Sequence, residues 1–98
     1  MKYTVRITDE AKADLDAAFE WLAKRTPLHA PTWYNGVVDA ILSLEDNPAR
    51  CPVSDVSNDC NDETRQLLYG SKRHAYRILF TIHNDTVFVT KIEHAAKS

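Results

Sequence analysis

The segment HAYRILFTIH, residues 74–83, predicts a central β-strand, because β-branched and aromatic residues recur along it with a period of two. Successive side chains of a strand point to opposite faces of a sheet. One face is apolar and comprises Tyr76, Ile78, Phe80 and Ile82; the other comprises Ala75, Arg77, Leu79 and Thr81. Burying a guanidinium is costly, so Arg77 requires an open groove or a carboxylate partner, for which Asp85 and Glu93 are candidates.

Strand patterns flank this segment on both sides. TVFVTKIEH, residues 86–94, follows after Asn84-Asp85, a pair suited to a tight hairpin turn. TRQLLY, residues 64–69, precedes it. The C-terminal third therefore predicts three consecutive antiparallel strands.

Two amphipathic helices are predicted before these strands. The first begins after Thr8, a suitable N-cap, and ends near Arg25; its apolar stripe is Ala11, Leu15, Ala18, Phe19 and Leu22. The second must stop before Asn47-Pro48; its stripe is Tyr34, Val37, Val38, Ile41 and Leu44. With a short strand over residues 2–7, the order is β-α-α-β-β-β. We expect an α+β fold in which the helical hairpin packs on one face of a small twisted antiparallel sheet.

Length and composition indicate one globular domain over residues 1–98. The chain is 44% apolar and 27% charged, which is typical of a folded domain. No segment has the length and apolarity of a signal peptide or a membrane span, so we expect a cytoplasmic protein without a membrane partner.

Residues 48–64 are rich in Pro, Ser, Asn and Asp and predict a mobile acidic loop. Cys51 and Cys60 lie within it, and their spacing matches no zinc motif. In a chain without an export signal we expect free thiols without a structural role, no metal site and no cofactor.

Charge is segregated along the chain although the net charge is only −2. Residues 51–64 carry four acidic residues and no basic one, whereas residues 65–98 carry six basic residues against two acidic ones. We expect several cationic groups to converge near the central strand, namely Arg65, Lys72, Arg73, Arg77 and His94. Such a groove suits a phosphate or a peptide carboxylate, and the sequence does not distinguish these ligands.

The chain resembles the RelE/ParE superfamily of bacterial type II toxins, the plasmid stabilisation proteins. The resemblance rests on the order and spacing of AKADLDAAFEWLAKR, ILSLEDNPARCP, TRQLLYG, YRILFTI and VFVTKIEH, which cover nearly the whole chain. It implies a growth inhibitor that a small cognate antitoxin neutralises, and it leaves a homodimer open. It also implies that Arg77 belongs to a functional surface that binds the antitoxin or the target.

Two activities occur in this superfamily. RelE-like members are ribosome-dependent endoribonucleases that cleave mRNA, and ParE-like members inhibit DNA gyrase. In a nuclease, Arg65 and Arg77 would stabilise the phosphorane charge, His94 would act as acid or base, and Glu93 would be a second proton acceptor.

The chain departs from the nuclease pattern. Leu67 and Leu68 stand where nuclease members carry lysines, and HAAKS follows His94 without the Arg or Tyr that those members place there. The net negative charge of the chain is also unfavourable for binding to ribosomal RNA, which is itself negatively charged. We therefore expect a ParE-like inhibitor of DNA gyrase; an endoribonuclease and an inactive partner-binding module are the alternatives.

Overall fold

The computed structural model describes residues 2–53, 63–70 and 75–94. The described part contains four strands and two α-helices: β1 (Thr4–Ile7), α1 (Asp9–Arg25), α2 (Ala30–Leu42), β2 (Arg65–Tyr69), β3 (Tyr76–His83) and β4 (Thr86–His94). The predicted element order is therefore confirmed, as is the α+β fold class with its helical hairpin on a small sheet.

The start of α1 and the turns that follow α2 and β3 lie where the local sequence favours them. The Thr8 hydroxyl accepts the backbone N–H of Ala11 at 3.2 Å, as the N-cap prediction requires. After α2, a 3₁₀ turn over Ser43–Glu45 leads to Asn47, whose φ of 45° lets the chain reverse before Pro48. The hairpin turn between β3 and β4 likewise uses a positive φ, at Asn84.

The sheet has the order β1-β4-β3-β2, and one of its strands runs differently from the prediction. β2, β3 and β4 pair antiparallel as expected, but β1 pairs parallel to β4. The prediction of a wholly antiparallel sheet is thus wrong for β1. Antiparallel neighbours can be joined by a tight turn, whereas the long connection from β1 through two helices allows the parallel arrangement.

The hydrophobic core lies between the helical hairpin and one face of the sheet. The helices contribute buried residues at helical spacing and the sheet contributes alternate residues. The cluster includes Ala11, Leu15, Val37, Ile41, Ile78, Phe80, Val87, Val89 and Ile92. Ile78 and Phe80 are completely buried, which confirms the predicted core face of β3.

β4 contains a bulge and extends beyond the end of β1. Val89 pairs with Phe80 and Lys91 with Leu79, so Thr90 is an extra residue. β1 stops at the level of Val89, and the carboxylate of Asp14 on α1 accepts the N–H of Ile92 at 3.1 Å. The helix thereby satisfies a backbone donor that no strand reaches.

Only the ends of the predicted loop lie within the described residues. Pro48–Arg50 forms a 3₁₀ turn, and Val53 forms an isolated bridge with Arg65. Cys51 is a free thiol, as predicted, but it is 4% exposed and belongs to the core, so the expectation that it has no structural role is wrong. The predicted mobility of the loop, and Cys60, concern residues outside the described ranges.

Neither helix of the described chain has the length and apolarity needed to span a membrane.

Candidate functional site

The sheet face opposite the helices presents Arg77 on the central strand. Arg77 pairs with Leu68 of β2 and with Glu93 of β4, so these three side chains form a row across the sheet. Leu68 is 54% exposed and is one of several large apolar side chains that the described surface exposes. This row therefore combines a cation, an anion and an exposed apolar group.

Arg77 and Glu93 form the ion pair that the sequence predicted. Nη1 of Arg77 lies 3.2 Å from Oε1 of Glu93, and the two side chains are 24% and 31% exposed. The other candidate, Asp85, instead accepts the hydroxyl of Thr86 at 3.3 Å. Nε of Arg77 is buried and has no hydrogen-bond acceptor among the residues that the structure describes. Because that nitrogen is buried, a further carboxylate or phosphate can meet Arg77 only at the part of its side chain that is exposed.

Arg65 lies on the opposite face of the sheet from Arg77. It pairs with Phe80, a core residue, whereas Arg77 pairs with exposed Leu68. The guanidinium of Arg65 donates to the carbonyl oxygens of Cys51 at 2.6 Å and Ala49 at 3.2 Å, and it contacts Glu63 at 2.8 Å. Arg65 therefore connects the first residues of the predicted loop to the start of β2.

His94 also lies on the helical side, because it pairs with Tyr76. The two rings meet edge to face with centroids 5.0 Å apart. His94 and Tyr76 line a cavity of about 420 Å³ with Trp21, Trp33 and residues at the end of α1. Sequence reasoning missed this cavity, because Trp21 and Trp33 fall outside the apolar stripes that defined the helices.

The predicted convergence of cationic groups is thus not observed for the described members of the set. Arg77 faces one side of the sheet, while Arg65 and His94 face the other. Lys72 and Arg73 lie outside the described residues. Within the described ranges, no group of three or more His, Cys, Asp or Glu side chains has the arrangement of a metal site.

Burial raises the pKa of two titratable groups near these surfaces. It raises the pKa of the Tyr76 phenol above its ordinary value of 10.0. It also raises the pKa of the Cys51 thiol, against the smaller opposing effects of Arg50 and Arg65. Both groups are therefore protonated and uncharged near neutral pH, and neither is an activated nucleophile.

Comparisons with known proteins give a family match and several structural neighbours. The family model for the ParE toxin of the type II toxin-antitoxin system, parDE, matches residues 5–98. A chain of the chromosomal ParDE toxin-antitoxin system from P. aeruginosa superimposes with a TM-score of 0.74 at 17% identity, covering 95% of this chain and 96% of that one. A chain of the toxin-antitoxin complex RelBE2 from Mycobacterium tuberculosis superimposes with a TM-score of 0.60 at 23% identity, covering 96% and 99%. A search of curated protein sequences finds no significant match.

Proposed function

Because the chain belongs to the ParE toxin family of type II toxin-antitoxin systems, we propose that it stops cell growth by binding DNA gyrase and that its cognate antitoxin covers the sheet face around Arg77. The family match and the two toxin-antitoxin neighbours support a cognate antitoxin as partner. The choice of gyrase rests on what the described surface offers to a substrate.

The observation that carries this choice is the separation of the candidate catalytic groups. Cleavage of RNA through its 2′-hydroxyl needs a base, positive charge at the phosphorane and an acid, all around one phosphate. Arg77 and His94 stand on opposite faces of the sheet, and Arg65 is held by two backbone carbonyl oxygens. These three groups cannot surround one phosphate in this arrangement.

The charge on the Arg77 face also supports protein binding more than RNA binding. Glu93 neutralises Arg77 at 3.2 Å, and the neighbour on the other side is the exposed Leu68. An RNA backbone requires several uncompensated cations, whereas a protein interface combines an apolar centre with a few ionic contacts. An acidic antitoxin segment fits this row, with an apolar side chain on Leu68 and a carboxylate on the exposed part of the Arg77 side chain.

Two assays with purified protein test the mechanism. In one, the protein is added to gyrase with relaxed plasmid and ATP; in the other, it is added to translating ribosomes with mRNA. We expect reduced supercoiling in the first assay and intact mRNA in the second. Addition of the cognate antitoxin should restore supercoiling.

Variants separate the alternatives in the same assays. Codon-dependent mRNA cleavage that is lost in both His94→Ala and Arg77→Ala would overturn the gyrase proposal in favour of an endoribonuclease. Normal supercoiling together with intact mRNA, from protein that still binds the antitoxin, would overturn it in favour of an inactive binding module.

A further inference from the structure

The last part of β4 has an edge that β1 does not reach. β1 ends at the level of Val89, whose carbonyl oxygen accepts the N–H of Thr8 at 3.0 Å. Among the described residues, no strand pairs with β4 on this side beyond Val89. The backbone N–H of Ile92 points to this side, and in antiparallel strands the C=O of a residue points the same way as its N–H. Strand edges of this kind tend to pair with strands of other molecules.

Polar side chains from the start of α1 cover this edge. The carboxylate of Asp14 accepts the N–H of Ile92 at 3.1 Å, and the same oxygen lies 3.7 Å from the ammonium group of Lys91. The hydroxyl of Thr8 lies 3.5 Å from the carbonyl oxygen of Thr90. These side chains therefore occupy the position at which a further strand would form its backbone hydrogen bonds.

The covered edge is complementary to itself. In an antiparallel pair of two copies centred on Ile92, the N–H and C=O of each Ile92 bond to those of the other. In that register Lys91 of each copy stands opposite Glu93 of the other, and opposite charges directly across a strand pair are favourable. A hollow of about 460 Å³ between α1 and this part of β4 leaves room beside the edge.

We propose that Asp14 prevents β4 of one copy from pairing with β4 of a second copy. Asp14 is a positioning residue that acts through two neighbours: it takes up the N–H of Ile92, and it holds the ammonium group of Lys91. Both groups are needed for the self-complementary pair, so their engagement by α1 keeps this edge from associating. This role goes beyond the proposed function and depends on neither the antitoxin nor gyrase.

The substitution Asp14→Ala tests this role. The amide hydrogen of Ile92 should exchange with solvent at least about tenfold faster, because it loses its acceptor. In sedimentation experiments at rising protein concentration, the variant should form assemblies of twice the mass of those formed by the unaltered chain. Asp14→Asn keeps an acceptor oxygen, so it should retain slow exchange at Ile92 and the mass of the unaltered chain. Asp16→Ala removes an exposed carboxylate of the same helix that borders a different hollow, between α1 and α2, and should change neither measurement.

A second charge change tests the register of the pair. In the Asp14→Ala background, Lys91→Glu places acidic residues opposite each other at positions 91 and 93, and the self-association should disappear. Lys12→Glu makes the same charge change on the exposed surface of α1 and should leave the association unchanged.

Three results would overturn the inference. These are an Asp14→Ala chain that keeps the mass of the unaltered chain at every concentration, unchanged exchange at Ile92 in that chain, and association that persists with Lys91→Glu. Should Asp14→Ala fail to fold, Asp14→Ser gives the same test, because its shorter side chain remains polar but does not reach Ile92.

Discussion

At the scale of single residues, the two strand arginines show how register assigns different roles to one residue type. Arg77 faces away from the helices and has one ionic partner among the described residues, whereas Arg65 faces the helical side and binds two carbonyl oxygens as well as Glu63. Alternation along β3 predicted the face on which Arg77 lies, and its observed partner Glu93 is one of the two carboxylates that the sequence offered. It could not predict the role of Arg65, because the carbonyl oxygens belong to residues 14 and 16 positions earlier in an irregular segment.

We expect Arg65→Ala to destabilise the fold more than Arg77→Ala. Arg65→Ala removes three contacts of a charged donor and should lower the free energy of unfolding by about 2 kcal/mol. Arg77→Ala removes one partly exposed ion pair and should cost about 1 kcal/mol or less. Urea unfolding followed by circular dichroism measures both. An equal or larger loss for Arg77→Ala would show that Arg77, too, is mainly a structural residue.

The Tyr76 phenol should make stability depend on pH in the alkaline range. Burial raises its pKa in the folded state above the unfolded value of about 10, so the folded state holds this proton more tightly. This contribution is fully present below the unfolded pKa and is lost as the pH rises through the folded pKa. The stability difference between the unaltered chain and Tyr76→Phe should therefore be constant up to about pH 9. At higher pH the unaltered chain should lose stability relative to Tyr76→Phe. A difference that stays constant to pH 11 would contradict this assignment.

At the scale of elements, close packing of α2 on β2 explains a glycine inside a helix. Gly36 lies in the interior of α2, where glycine costs up to about 1 kcal/mol relative to alanine. A β-carbon at this position would overlap the phenol ring of Tyr69 on β2. The missing side chain therefore permits the helix to approach the sheet at this point.

Gly36→Ala should accordingly lower stability by about 1–2 kcal/mol while Tyr69 is present, because the overlap forces the ring or the helix to move. In a Tyr69→Ala background the overlap is gone, and the same substitution should raise stability by up to about 1 kcal/mol through helix propensity. Thermal or urea unfolding of the unaltered chain, the two single variants and the double variant gives the coupling free energy between Gly36 and Tyr69. If Gly36→Ala has the same effect in both backgrounds, the contact with Tyr69 does not explain the glycine.

At the scale of the whole molecule, local patterns predicted the elements well and their assembly only in part. Helix periodicity, the Thr8 cap and the Asn84-Asp85 turn each depend on residues that are close together in the sequence. All three are observed. The parallel pairing of β1 with β4 joins residues about 80 positions apart, and no local pattern specifies it. The same holds for the surfaces: the Arg77 row follows from alternation, but the aromatic cavity depends on how α1 and α2 meet the strand ends.

The uneven charge of the chain bears on how the antitoxin is recruited. The last third of the sequence is basic within an acidic total, and the side chain of Arg77 is 24% exposed. If an acidic antitoxin segment docks on this row, Arg77→Glu should weaken its affinity at least about tenfold and slow association, since oppositely charged surfaces accelerate encounter. The affinity of the unaltered chain should also fall as salt rises from 50 to about 300 mM, and Arg77→Glu should reduce this dependence.

Lys12→Glu, which makes the same charge change on the exposed surface of α1, is the control and should have little effect. Surface plasmon resonance at several salt concentrations yields both rates; equal affinities for Arg77→Glu and Lys12→Glu would place the antitoxin interface away from the Arg77 row.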